Sequence, residues 1–424
     1  MSHPDKSIRE LSCADDYDPN SMPVDKARQF IRTFLQPVSG LEQLHIRAAL
    51  GRVLAADIVS PVDVPAHDNS AMDGYAVRYA DLDGRPETRL KLIGSSFAGV
   101  PFQGEVGPGE CVRIMTGGVV PAGTDTIVMQ EHVQNEASMI KIGAGHRKHQ
   151  NLRRAGEDLK TGQTALSRGT PLRPAELGLI ASLGIGEIAV YRKLRVAFFS
   201  TGDELRSVGS KLGPGEIYDS NRYTIYGMLA RLGIDAIDMG VVRDDPASLE
   251  QSFAAAAAVA DVVITSGGVS VGEADFVKEL LERLGEVVFW KIAMKPGRPL
   301  AYGKIGGAHF FGLPGNPVSV MVTFYQFVRD ALLVLSGRDP VLPLPTLKAT
   351  CLTNLKKAPG RTEFQRGILE QDAAGTWNVR VTGEQGSGIL RSMAEANCFI
   401  ILPASQGNLT AGATVEVQVM EGFI

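Results

Sequence analysis

At 424 residues the chain exceeds one ordinary domain, so two to four compact units are expected. A hydrophobic fraction of 44% against 21% charged residues supplies real cores, and a formal net charge of −4 excludes a broad nucleic-acid surface. Cys13, Cys111, Cys351 and Cys398 are far apart and form no CxxC pair, which disfavours a zinc site or disulfide framework and fits a reducing compartment. No run is read as reaching the roughly 18 apolar residues that cross a bilayer. The opening MSHPDKSIRELSCADDYDPNS has no apolar signal core, so residues 1–22 are expected to be a flexible tail. The expectation is a cytoplasmic protein without membrane contact.

Val24–Phe34 reads as a short amphipathic helix ahead of Pro37, and Leu41–Asp57 continues with good helix formers. SPVDVPAHDNSAMDGYAVR is then too rich in Asp, Asn, Pro and Gly for regular structure. Its Asp68, Asn69, Ser70 and Asp73 either close a turn or reach a ligand. From Leu90 to Ile142, short apolar runs punctuated by Gly and Pro predict a compact β domain inserted into the helical unit. RIMTGG carries Thr116 before two glycines, a tight turn or an anion loop. NLRRAGEDLKTG places Arg153, Arg154, Glu157 and Asp158 together, and PAELGLIASLG returns as a hydrophobic helix.

From Leu194 strands alternate with helices, which predicts a doubly wound parallel sheet. RVAFFS ends at Thr201-Gly202-Asp203-Glu204, AIDMGVV at Asp244-Asp245, EVVFWKIAM near Lys291 and Lys295, and AHFFGL at Gly312–Ser319. The most informative strand is Val262–Ile264, followed by Ser266, Gly267, Gly268 and Ser270 and then by Glu273 and Asp275 at a helix start. Glycines that let backbone N–H groups approach an anion, with carboxylates beside them, suit phosphate and a cation; an ordinary βα turn is the alternative. Strand polarity gathers these ends on one edge, where such sheets bind ligands. After Pro345 the chain returns to short strands, a small β barrel or sandwich holding Arg361, Arg366 and Ser387.

Some patterns fail. Gly297–Lys304 has the wrong spacing for a phosphate-binding P-loop, and Gly184–Ala189 follows a helix where a dinucleotide fingerprint follows a strand. His146 and His149 lack the spacing of a helical zinc pair, and Ser200 and Ser266 have no histidine partner nearby in sequence.

In order, DNSAMDGYA, RIMTGG, RRAGED, FSTGDEL, IYDSNR, RDDP, TSGGVSVGEAD, MKPGRP and GLPGNPVS resemble the molybdopterin molybdenumtransferases, the family of MoeA and the gephyrin E domain. The resemblance runs from about Pro23 to the C-terminus. It implies insertion of molybdenum from molybdate into adenylylated molybdopterin with release of AMP and Mg²⁺ assistance, the last step of molybdenum cofactor biosynthesis. It implies a homodimer of four-domain subunits whose cleft uses both chains. Contacts with a molybdopterin adenylyltransferase and with molybdoenzyme-loading proteins are further expected.

The implied boundaries are a discontinuous, dimer-forming helical or mixed unit (23–60 with 160–193), an inserted β-rich domain (61–159), an α/β domain binding molybdopterin-AMP (194–343) and a C-terminal β barrel (344–424). The family's functional acids fall on Asp73, Asp158, Glu204, Asp244 and Asp275, with Thr116 and Arg153 as second-domain contacts. Its basic and proline positions fall on Lys291, Lys295, Pro314 and Pro317, and its C-terminal positions on Arg366 and Ser387.

The chemistry of the residues agrees with that implication. Mg²⁺ takes one or two carboxylates plus phosphate, which Glu204, Asp244 and Asp275 at strand ends would supply. The Ser266–Gly268 backbone and Ser270 would hold phosphate, while Lys295, Arg366 and Lys291 would face the molybdate dianion with Ser387 as donor. A molybdopterin adenylyltransferase, which resembles Leu194–Gly337 alone, and a scaffold of the gephyrin E-domain type are the rival readings.

Overall fold

The computed structural model describes residues 7, 8, 21–268 and 275–420. At its centre is a six-stranded sheet of β1 (Arg195–Thr201), β2 (Asp235–Val242), β3 (Val262–Ser266), β4 (Gly285–Lys291), β5 (Pro299–Ile305) and β6 (Ala308–Leu313). Their spatial order is β2-β1-β3-β6-β5-β4. The first four pair in parallel, and only β5 runs against its neighbours. The sheet is therefore mixed rather than wholly parallel. Gly306 and Gly307 turn β5 back into β6, a two-residue hairpin that glycine permits. Because β4 is antiparallel to β5, it again points the way β6 does, and Lys291 emerges on the edge where the other strands end.

Helices α1 (Ser220–Arg231), α2 (Pro246–Val259) and α3 (Asp275–Leu284) cover both faces of the sheet. Alternate residues of a strand face opposite sides. Val196 and Phe198 accordingly join a core with Ile225 and Leu229 of α1, while Ala197 and Phe199 join one with Leu249 and Phe253 of α2. With helices on both sides, β3 and β6 are buried at every position, as their largely apolar sequences suggest.

The helix Val24–Thr33 buries Val24, Ala27, Phe30 and Ile31 in the first of these cores. It thus packs as part of the α/β unit rather than with the mixed unit expected from residue 23. The helical reading of Leu41–Asp57 also gives way. Leu41–His45 is a strand paired antiparallel to Glu187–Tyr191, followed by a single 3₁₀ turn at Ile46–Ala49. Strand pairing has overridden the propensity of these residues, and Ala49, Leu54, Ile180 and Val190 build a separate small core.

Residues 61–159 carry a six-stranded sheet around Tyr75, Leu90, Cys111 and Ile140. At the C-terminal end, Thr362–Gln371, Trp377–Val381, Thr346–Cys351, Thr414–Val419 and Cys398–Leu402 close into a five-stranded barrel. Met294–Lys295 pairs in parallel with Thr362–Glu363, stitching the barrel to the central unit. The run Pro317–Leu335, interrupted by a π turn at Phe324–Val328, is long and apolar enough to span a bilayer, contrary to the sequence reading. It is 72% buried inside the fold and serves as the core helix beneath the sheet.

Candidate active cleft

The motif-bearing strand ends frame an open cleft. Its back wall is the glycine turn after β3. Gly267 and Gly268 have φ of 92° and 68°, in the left-handed region that favours glycine. A Cβ on Gly267 would also lie 2.6 Å from the carbonyl oxygen of Thr201. The close approach of the two strand ends is thus possible only with glycine, and the Gly267 N–H is itself donated to the Leu313 carbonyl at 3.1 Å.

The floor is a buried polar network. Ser200 Oγ donates to Asp219 Oδ1 at 3.0 Å, and the same oxygen accepts from the backbone N–H of Arg222, capping α1. Asn221 Nδ2 donates to Ser266 Oγ at 2.8 Å and to the Gly315 carbonyl at 2.6 Å, tying the end of β3 to the turn before Pro317. Ser266 Oγ in turn donates to the Pro314 carbonyl at 3.4 Å.

Acids gather just beyond the ends of β1 and β2. Glu204 and Asp244 line the cleft, and the Asp244 N–H donates to Asp203 Oδ1 at 3.4 Å. Partial burial, and then repulsion from Asp203 and Glu204, push the Asp244 carboxyl above its ordinary range. No described lysine or arginine forms an ion pair with Glu204 or Asp244. Among the described residues no three His, Cys, Asp or Glu side chains converge into a complete metal site.

A C-terminal loop closes one end, where Gly388 and Leu390 line the cleft. The Val318 N–H donates to the Ser387 carbonyl at 3.1 Å, so this loop rests on the start of the core helix. Arg366 was expected to offer a cation to the dianion, but the structure uses it differently. It is only 1% exposed. Its guanidinium donates to Ser392 Oγ and to the carbonyls of Glu384, Gln385 and Gly386. Burial lowers its pKa to about 10, and its donors are spent on holding the loop that presents Ser387. Lys295 is exposed and lies 3.7 Å from the buried Glu363, while Lys291 ends β4.

The expected residues thus fall into two groups. Glu204, Asp244, Ser266, Gly267, Gly268 and Pro317 share the cleft, with Pro314 and Ser387 directly behind its lining. Ser270 lies outside the described residues, as does the side chain of Asp275, whose backbone opens α3. Asp73, Thr116, Arg153 and Asp158 lie in the inserted domain, and none of them lines the cleft. There Asp73 Oδ1 accepts from both the N–H and the hydroxyl of Thr116 at 2.7 Å. These bonds, the backbone one foremost, hold the Asp73 carboxyl below the ordinary carboxylate range. Arg153 is in register with Asn69, Asp68 takes an ion pair from Arg154 at 2.8 Å, and the Asp158 N–H donates to Val64.

Sequence reading named Asp203 only within the Thr201–Glu204 strand end, and did not single out Asp219 and Asn221. The last two stand in IYDSNR, where an Asx residue immediately before a helix was the available signal.

Three regions of the chain match family descriptions in order: the MoeA N-terminal region (domains I and II) over 22–184, a probable molybdopterin binding domain over 197–334, and the MoeA C-terminal region (domain IV) over 348–420. The chain belongs to the MoeA family. It is 47% identical over 398 residues to a molybdopterin molybdenumtransferase of Haemophilus influenzae, covering 94% of this chain and 98% of that one. A Nostoc relative with the same name is 35% identical over 390 residues, covering 89% and 88%. A crystal structure of a molybdopterin biosynthesis MoeA protein from Pyrococcus horikoshii superposes with a TM-score of 0.78 at 34% identity, over 95% of this chain and all of that one. Membership of this enzyme family, over all three regions, places the chain in the molybdenum insertion step of cofactor biosynthesis. It also sets aside the reading as a lone adenylyltransferase domain.

Proposed function

We propose that the cleft beside Gly267 and Gly268 holds the pyrophosphate of adenylylated molybdopterin, and that molybdate enters at its acidic and C-terminal-loop side. The observation that carries this reading is the juxtaposition of a glycine cradle with Glu204 and Asp244 in one cleft. Backbone N–H groups at such a turn receive phosphate oxygens. The acids repel one another, as the raised Asp244 carboxyl indicates, and no described basic side chain answers them.

That donor set fits a hard divalent cation such as Mg²⁺, which takes one or two carboxylates and completes its shell with phosphate and water. Glu204 and Asp244 would hold it together with Asp275, and when bound it would neutralise charge on the anhydride. The chain's own residues orient the reaction: Asn221 and Ser266 fix the separation of the walls, and Arg366 fixes the loop carrying Ser387. Water then adds to the anhydride phosphorus and AMP leaves, coupled to metal capture by the dithiolene.

In this reading Asp73, Thr116, Arg153 and Asp158 complete the cleft of a partner copy in a homodimer. Their absence from the lining of their own chain's cleft supports it. The acids gathered in this chain's own cleft argue for catalysis over a purely scaffolding role. The test is release of AMP from adenylylated molybdopterin with molybdate and Mg²⁺. Asp275→Ala and Glu204→Gln should lose release while unfolding at the wild-type temperature. Undiminished release in both variants would dismiss the assignment.

A further inference from the structure

Three buried side-chain oxygens on cleft-lining residues have no hydrogen-bond partner among the described residues: Thr201 Oγ1, Asp219 Oδ2 and Asn221 Oδ1. Asp219 Oδ2 lies 3.7 Å from Arg222 Nε, so its charge is answered by an ion pair. Thr201 Oγ1 is a hydroxyl that can rotate to donate or accept. Asn221 differs because its orientation is fixed. The Gly315 carbonyl can only accept, so the amide nitrogen must face it. The second amide hydrogen goes to Ser266 Oγ, which passes its own proton on to Pro314. Both donors are spent, and Oδ1 remains as a pure acceptor on a residue only 8% exposed.

An acceptor left bare in a buried site costs stability until a donor reaches it. A phosphate or molybdate oxygen would not serve, because it too only accepts. The group that completes Asn221 must carry an O–H or N–H. Asn221 bonds directly to Ser266, the residue before the glycine turn, so that group is a near neighbour of a phosphate held there.

We infer that Asn221 is a specificity-determining residue whose Oδ1 accepts a hydrogen bond from the nucleotide half of the ligand, either a ribose hydroxyl or the amino group of the base. The inference rests on the proposal that the cleft binds an adenylylated ligand. A site built around a hydrogen-bonding group rejects analogues that lack it, because its own buried partner is then left bare. Asn221 therefore discriminates among nucleotides that carry the same phosphate and charge.

The test is calorimetric titration of the full-length chain with AMP, 2′-deoxy-AMP, 3′-deoxy-AMP and purine riboside 5′-monophosphate, in wild type and Asn221→Ala. One analogue should bind wild type about tenfold more weakly than AMP. Asn221→Ala should bind AMP more weakly by a similar factor and no longer distinguish that analogue. The position that matters separates a ribose hydroxyl from the base amine. If AMP binds wild type and all three analogues bind within about twofold of it, the role of Asn221 is overturned while the cleft assignment stands. If AMP does not bind wild type at all, both fall. Should Asn221→Ala fail to fold, the analogue series on wild type decides the matter by itself.

Discussion

Asp73 and Thr116, 43 positions apart in the chain, meet through two hydrogen bonds on one carboxylate oxygen, each 2.7 Å long. One donor is the Thr116 backbone and the other its hydroxyl, so a side-chain change removes only half the clamp. In Thr116→Val the carboxyl of Asp73 should rise part of the way back toward its ordinary pKa, as followed by NMR titration. AMP release should fall at the same time if this pair completes a partner's cleft. A pKa that does not move would mean the hydroxyl contributes nothing to holding the acid charged.

Gly267→Ala would place a methyl group 2.6 Å from the Thr201 carbonyl on a backbone at φ 92°. That closest contact is with backbone, which cannot swing aside as a side-chain tip does. The variant should lose about 1–3 kcal/mol of stability in denaturant unfolding and bind AMP more weakly. Gly306→Ala, at φ 56° with open space around it, serves as the control for strain without crowding.

The raised carboxyl of Asp244 means that its charged form is disfavoured in the fold, first by burial and then by Asp203 and Glu204. Asp244→Asn should therefore not lower, and should slightly raise, the melting temperature in buffer without divalent ions. Mg²⁺ should stabilise the wild type and do so less in the variant, since binding to the folded state alone raises stability. Equal Mg²⁺-induced shifts in the two proteins would remove Asp244 from the ion's ligands.

Far from the cleft, at the opposite end of β6, His309 is buried with Nδ1 3.3 Å from the Tyr302 hydroxyl. Burial, with a contribution from Lys304, lowers its pKa to about 4 from 6.5, against a weaker upward pull from Asp261. The unfolded chain binds this proton more readily, so the stability is fully present above about pH 6.5 and is lost as pH falls toward 4. The loss attributable to this residue is at most about 3 kcal/mol. His309→Gln should flatten the stability profile between those values in urea titrations. An unchanged acid slope would place the sensitivity elsewhere.

The strands were legible where their composition had one cause. β1, β3 and β6 are sandwiched between helices, and the apolar stretches Val196–Phe199, Val262–Ile264 and Phe310–Leu313 report that directly. The reversal of β5 was missed, because direction leaves no trace in apolar content and only the Gly306-Gly307 pair marks the hairpin. Leu41–His45 was misread because its pairing with Glu187–Tyr191 spans 142 residues at its near end, His45 to Glu187, and local propensity cannot register it. At the site, Glu204 and Asp244 stood out as acids after strands, which needs only strand polarity. Arg366 did not reveal its burial, since an arginine in a strand reads the same whether it faces solvent or loop carbonyls. Asn221 carries no charge, and its importance comes from partners that the fold alone supplies.

The two-residue ladder between Met294–Lys295 and Thr362–Glu363 has a mechanical meaning. Chain leaving β4 must cross to the barrel and return before it can form β5, so the barrel is threaded through the sheet's own connection rather than hung from its end. Variation in the loop near Ser387 can then retune one lip of the binding space without loosening the platform beneath it, and displacing the barrel as a body would first pull on Lys295.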